Sequence, residues 1–341
     1  MPGTSTFNFG AYAFDGADLK SGVAKEDLLE QITNISPYDT PFVSQAPKVG
    51  CRHIYHQWLI DSLSTPDLTG AVEGADWSLD STTAPSRVFN VTMILRKDLG
   101  LSMSQRAVDT AGFADQYAYE VQKATKELAI KLERVTFGAL TTATGASGTA
   151  RVMKGLQSFI TTNTALAGSN GGTVGDATHD GVVTVGDFND MLNSIYSQGG
   201  NPEQVYVSPK VKRQISAFAV PGAAAGNVYA KNIAAVDKKL IGAIDFYDSD
   251  FGLIQIVLDR WVPESTNTVT ATASATATGG QMFFLSRAIN RLAWLRPVQH
   301  ELVGKRGDSV AGLVVGEVTL EVLSEKANGR ITSVNNKSSV T

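Results

Sequence analysis

Residues 110–140 read TAGFADQYAYEVQKATKELAIKLERVTFGAL, and Phe113, Tyr117, Val121, Ala124, Leu128, Leu132, Val135 and Ala139 recur in them at spacings of four and three. That period puts all eight on one face of a helix. Asp109 or Thr110 can cap its N-terminus, and Asp115 falls in the first turn, where a negative charge suits the helix dipole. Glu127 and Lys131 form an i,i+4 pair in the favourable order. At about 1.5 Å per residue such a helix is roughly 43 Å long. It exceeds the common length in globular domains and reads as a spine for the rest of the chain.

The segments before the spine are not self-contained. Phe7 to Leu19 is rich in Gly and Ala, and a short helical stretch from Lys25 to Ile32 leads into Asn34-Ile35-Ser36-Pro37-Tyr38-Asp39-Thr40-Pro41. Two prolines in five residues bias the chain toward extended conformation and block a helix. Residues 1–50 are therefore expected to be an arm that packs on something else. Residues 51–104 carry two β-rich limbs, His53 to Leu63 and Arg87 to Ser104, joined by a tract full of Gly, Ser, Thr and Pro. From Asp61 to Asp80 that tract holds Asp61, Asp67, Glu73, Asp76 and Asp80 and no basic residue, whereas the returning limb carries Arg87, Arg96 and Lys97. A long hairpin with a polar tip cannot pack a core of its own. The five carboxylates repel one another unless basic groups on a neighbour meet them, which makes them candidate intersubunit contacts.

After the spine, residues 141–175 are low in complexity around the apolar piece Met153 to Ile160. From 184 to about 300 helix and strand alternate: a helix at Asp187 to Gln198, a strand at Gln204 to Ser208, and a helix after Pro209. Strands follow near Ile244–Tyr247, Leu253–Leu258 and Met282–Ser286. This pattern predicts a mixed α/β unit. Thr268 to Thr278 alternates without charge and reads as a solvated hairpin or loop. Gly312 to Leu323 alternates as a long strand and is followed by an Asn328-Gly329 turn and a polar tail.

Bulk properties narrow the function classes. The 341 residues are 43% hydrophobic and 18% charged, enough for a sizeable core. A net charge of −4 gives no strong field toward nucleic acid or an anionic membrane. One cysteine, Cys51, rules out an internal disulfide framework and suits a reducing compartment. The first residues lack the pattern of a signal peptide, and no apolar run approaches the ~18 residues that span a bilayer. The expectation is a soluble protein made in cytoplasm.

Catalytic constellations are missing. There is no Gly-x-Ser-x-Gly elbow, phosphate loop, Gly-x-Gly-x-x-Gly or His-Glu-x-x-His, so no catalytic residue is assigned and an enzyme is not expected. Cys51 and His53 share a strand face from which His56 points away, too few converging ligands for zinc. The sharpest local match runs from Asp176 to Asp187. Asp176, Thr178, Asp180, Val182 (through its carbonyl), Thr184 and Asp187 occupy positions 1, 3, 5, 7, 9 and 12 of an EF-hand-type calcium loop, with Gly181 at position 6. Such loops resemble those of dockerin modules, but position 12 here is Asp and positions 3 and 9 are neutral. The alternative is a polar turn feeding a helix, with Thr184 as N-cap and Asp187 as its box partner. No other cofactor signal is present. Arg306-Gly307-Asp308 spells an integrin-type tripeptide and is equally ordinary turn chemistry.

The order of parts, with the pieces ITNISPYDTPFVSQ (32–45), KDLGLSMSQRAVDTAG (97–112), YDSDFGLIQIVLDRWVP (247–263), LRPVQHELVGKRGDS (295–309) and GEVTLEVLSEKANGRI (316–331), resembles tailed-phage major capsid proteins of the Hong Kong-type shell fold, in a podovirus-like branch. The resemblance implies an α+β capsid fold. Its parts would be an arm (1–50), an extended hairpin loop (51–104), a peripheral domain (105–183 with 297–341, including the spine) and an axial domain (184–296). It implies a structural subunit that self-assembles into pentamers and hexamers, encloses double-stranded DNA without sequence-specific binding, and has no membrane partner. Because some relatives carry a long N-terminal scaffolding region that does not fit here, it also implies a separate scaffolding protein, with a portal and a decoration protein as further partners. An encapsulin-like compartment shell is the alternative with the same fold. A calcium-dependent binding module or an undetected hydrolase are alternatives of other classes.

Overall fold

The long strand at Ser309–Val322 and the spine helix organise the molecule: one lies inside a sheet and the other packs across it. The computed structural model describes residues 36–63, 68–70, 72–74, 76–77, 84–108, 115–167, 182–216, 244–264, 280–304 and 307–334. In chain order these form α1 (Pro41–Gln45), β1 (Lys48–Gly50), β2 (Tyr55–Ile60), β3 (Ser86–Val91), β4 (Met93–Ser102), α2 (Met103–Ala107), α3 (Gln116–Phe137) and α4 (Leu156–Phe159). Then come β5 (Thr164–Leu166), α5 (Val185–Ser197), β6 (Gln204–Val207), α6 (Pro209–Ser216), β7 (Phe246–Ser249), β8 (Gly252–Leu258), β9 (Gly280–Leu285), β10 (Asn290–Val303), β11 (Ser309–Val322) and β12 (Gly329–Val334). Four strands pair in the order β1-β10-β11-β4, six in the order β5-β12-β9-β6-β8-β7, and β2-β3 form a separate ribbon.

The spine helix is α3, shorter than expected. Asp115 is its N-cap, accepting from the Tyr117 amide at 3.0 Å, so the helix starts at Gln116, and its 22 residues span about 33 Å. Asp109, Thr110 and Phe113 lie outside the described residues. Tyr117, Ala124, Leu128 and Leu132 are buried as the period requires, Val121 and Val135 are half-buried, and Ala139 is exposed beyond the helix end. The i,i+4 expectation fails: Glu127 pairs with Lys97 of β4 at 2.7 Å, because the adjacent strand offers a cation from a fixed backbone. Gly312 of β11 permits the close approach of helix and sheet, since a Cβ there would overlap the Tyr117 hydroxyl.

The arm also departs from expectation where it is described. Pro41 opens α1 instead of blocking a helix, because a first-turn proline loses no hydrogen bond. Phe42 is buried edge-on against Phe137 and Tyr206, and Glu133 of α3 accepts from the Phe42 and Val43 amides at 2.8 Å each. Residues 41–50 thus pack on their own chain, and β1 adds a parallel edge to β10. The stretch Lys25 to Ile32 lies outside the described residues.

The six-stranded sheet is covered on both faces. All four residues of β6 and all six of β9 are buried, as in a doubly covered strand, and they are apolar from Val205 and from Met282 onward. One face meets α5 and α6 through Val205, Val207, Met282, Phe284 and Ile331. The other, through Tyr206, Phe283 and Leu285, joins the core of α1, α3 and the four-stranded sheet. Strand β10 crosses the segment boundary expected at 296/297, and β5 and β12 pair into the sheet of β6 to β9. Asn328-Gly329 is not a hairpin turn. Asn328 is fully buried and exchanges side-chain hydrogen bonds with Asn290 (2.7 and 3.1 Å), tying the β9–β10 turn to the start of β12. A Cβ at Gly329 would press on the side-chain ends of Met191 and Ile195, at 2.6 and 2.7 Å. The expected helices and strands at 187–198, 204–208, 211–218, 244–247, 253–258 and 282–286 correspond to α5, β6, α6, β7, β8 and β9.

Candidate assembly surface

The returning limb of the hairpin is two strands, not one. It breaks at Thr92: β3 pairs with β2, whereas β4 turns away to pair with β11. The break sits on a polar seam. Glu317, Thr319 and Glu321 lie on one face of β11 and are all buried. The Thr92 hydroxyl donates to Glu317 Oε1 at 2.7 Å, Arg151 Nη2 to the same oxygen at 2.6 Å, and Arg296 Nε to Oε2 at 3.2 Å. His56 Nε2 of β2 lies 2.9 Å from Glu321 Oε2. Asn90 donates to the Leu320 and Lys154 carbonyls and accepts from the Lys154 amide at 2.8 Å. Buried charges this well paired are specific in geometry, and removing one partner strands the other. The seam therefore fixes the direction in which the ribbon leaves the body.

Beyond the root the described apolar side chains of the ribbon are exposed. The alternation of β2 puts Trp58 inward, buried beside Phe159, and Tyr55 and Leu59 outward with Phe89 of β3. Past Ile60, Leu63 is 100% exposed, Leu68 97%, Val72 78% and Trp77 83%. Fully exposed large apolar side chains at such density mark an interaction surface. Burying each against a partner yields about 1.5–3 kcal/mol. The acidic candidates lie on the same excursion. Asp61, Glu73 and Asp76 are exposed, and among the described residues none forms an ion pair within the chain. Asp67 and Asp80 lie outside the described residues. Sequence reasoning singled out the carboxylates and passed over the apolar residues among them, although one tryptophan and several leucines in a Gly/Ser/Thr-rich tract were the available signal.

The calcium-type loop is only partly described: Asp176, Thr178 and Asp180 lie outside, whereas Val182, Thr184 and Asp187 lie within. Asp187 is buried and accepts from the Thr184 amide and hydroxyl at 2.9 Å each, while its own amide donates to Thr184 Oγ1 at 3.1 Å. This is a complete capping box for α5, and it commits the side chains at positions 9 and 12 to the helix end. Cys51 donates to the His53 carbonyl, and His56 is held by Glu321. Among the described residues no three His, Cys, Asp or Glu side chains gather as a metal site, and no helix is long and apolar enough to cross a membrane. Gly307, with φ 69°, turns the chain between β10 and β11, and Arg306 lies outside the described residues.

A family model described as SU10 major capsid protein matches residues 3–335. The chain belongs to that family. Over 108 residues it is 33% identical to the major capsid protein of Escherichia phage Phieco32, a match spanning 30% of this chain and 30% of that relative's length. Solved structures of like fold include the capsid of cyanophage P-SCSP1u, with a TM-score of 0.57 at 12% identity over 92% of this chain and 94% of that one. Another is the SrpI encapsulin of Synechococcus elongatus PCC 7942, with a TM-score of 0.54 at 11% identity over 96% of this chain and 99% of that one. The architecture is the Hong Kong-type capsid fold, with α3 as its spine, the β2–β3 ribbon as its extended loop and the six-stranded sheet as its α/β portion.

Proposed function

We propose that this family member is the repeating subunit of an icosahedral bacteriophage shell, which assembles into pentamers and hexamers of itself around double-stranded DNA. The observation that carries this reading is the ribbon. Its root is fixed by a buried polar seam while its tip exposes Leu63, Leu68, Val72 and Trp77 to solvent. A set of large apolar side chains this exposed is costly to leave in water, and the surface of another copy would cover it. The chemistry is that of a wall, with no catalytic step. Contacts to DNA are nonspecific, in keeping with a net charge of −4. Scaffolding, portal and decoration functions come from separate proteins, and assembly takes place in the host cytoplasm before the subunit becomes part of the virion. The segment scheme of arm, ribbon, peripheral and axial parts belongs to this proposal.

Electron microscopy of the purified chain, expressed with and without its neighbouring phage proteins, tests the reading: closed shells or capsomers are expected, and a monodisperse monomer under all conditions would end it. The encapsulin likeness is one of fold, and the family match weighs toward a phage shell. The contents decide between them, since nucleic acid supports the first and a protein cargo the second.

A further inference from the structure

Glu133 holds the described end of the arm from within the core. Glu133 on α3 is 0% exposed and turns both carboxyl oxygens to the amides of Phe42 and Val43. Asp259, just after β8, is 1% exposed, and its Oδ1 accepts from the Trp261 amide at 2.8 Å. Asp259 Oδ2 is enclosed and, among the described residues, meets no N–H or O–H donor; the carboxyl of Glu133 is a polar neighbour. Two carboxylates in contact and away from water cannot both be ionised, so one proton lies between them. Tyr206 on β6 also faces the pair, with its hydroxyl donated to Gln204. Arg287, whose charge acts on Tyr206, gives its Nε–H to the Gln45 carbonyl, while Arg134 lies over the Trp261 ring and Arg260 pairs with Asp39. Helix α1 brings no charged side chain, only its amides. Burial first, and then the charge of Asp259, pushes Glu133 up to about 8, and burial raises Asp259 as well.

We propose that the Glu133–Asp259 pair is a proton-held latch on the N-terminal arm: with one shared proton it fixes residues 41–46 to α3 and to the end of β8, and loss of that proton drives the carboxylates apart and frees the segment. The direction follows from linkage. The folded chain keeps a proton that the unfolded chain releases above the ordinary carboxylate range, so the hold weakens as pH rises from that range to about 8. The side chains around it add weaker ties of other kinds, with Trp261 Nε1 donating to the Asp39 carbonyl at 2.8 Å and Lys126 lying over the Tyr38 ring.

Residue-resolved hydrogen exchange on the full chain, as free subunit and in assembled form, tests the latch. Protection of the Phe42 and Val43 amides, corrected for intrinsic exchange, should fall at least about tenfold between about pH 7 and about pH 9.5, one pH unit past the titration being a factor of ten. The amides of β6 and β9 should hold steady. Asp259→Asn gives Glu133 an N–H donor that does not titrate, so its Phe42 and Val43 protection should stay flat over the range. If that variant fails to fold, Glu133→Gln is read for the same flat profile. A flat profile in the unmodified chain overturns the latch, as does a fall in either variant as steep as in the unmodified chain.

Discussion

Leu128 tests the spine one side chain at a time. It is buried in the core that α3 shares with the four-stranded sheet, so Leu128→Ala should cost about 2–5 kcal/mol in thermal unfolding of the unassembled subunit. Gln122 is exposed on the other side of the helix, and Gln122→Ala should stay within about 0.5 kcal/mol. Lys126 is a poorer control because its ammonium lies 4.9 Å from the centre of the Tyr38 ring, a contact of roughly 0.5–1 kcal/mol. Equal effects at Leu128 and Gln122 would mean that the stripe is not the packed face. Asn328 makes the opposite point. In sequence it stands before a glycine and reads as a turn, yet its amide is a buried joint between strands. Asn328→Ala leaves Asn290 without its partner and should cost about 1–3 kcal/mol, measured as a lower denaturant midpoint with an unchanged slope.

The ribbon is the element on which assembly turns, and two forces on it can be separated. Replacing Glu73 with Gln and Asp76 with Asn removes charge while keeping shape. Shell yield should then lose much of its dependence on salt, because each exposed pair with a neighbour contributes only about 0.2–1 kcal/mol but is repeated by symmetry. An unchanged salt response would leave these carboxylates merely solvated. Trp77→Ser with Leu68→Ser should abolish or strongly reduce shells, read by sedimentation. The melting of the free subunit should shift by about 0.5 kcal/mol or less, because neither side chain touches the body. Assembly at the original yield would remove the apolar tip from the interface. The presence of a ribbon was legible in the sequence from two β-rich limbs around a polar tract. Its break at Thr92 was not, because Thr92 fits an extended strand as well as any residue and only Glu317 and β11 make it a corner.

At the scale of the whole molecule, one core joins α1, α3, α4 and both large sheets, so the parts read as separate segments in the sequence are not separately packed. The sequence by itself determined the elements whose signal is local. These are the 3.6-residue period of α3, the alternation of β11 and the capping box of α5, since period and cap are properties of neighbouring residues. Together with the family likeness, these local signals led to the capsid fold. Only the tertiary structure decided what depends on residues far apart. Strand β10 was missed because its first half is buried and its second half exposed, which leaves no single period to read. Strand β12 is not legible in the sequence because its partners, β5 and β9, stand well over a hundred residues and about fifty residues earlier in the chain. The proton between Glu133 and Asp259 has the same origin. Each carboxylate is ordinary in its own stretch of sequence, and burial together in the low dielectric of the core is what couples them.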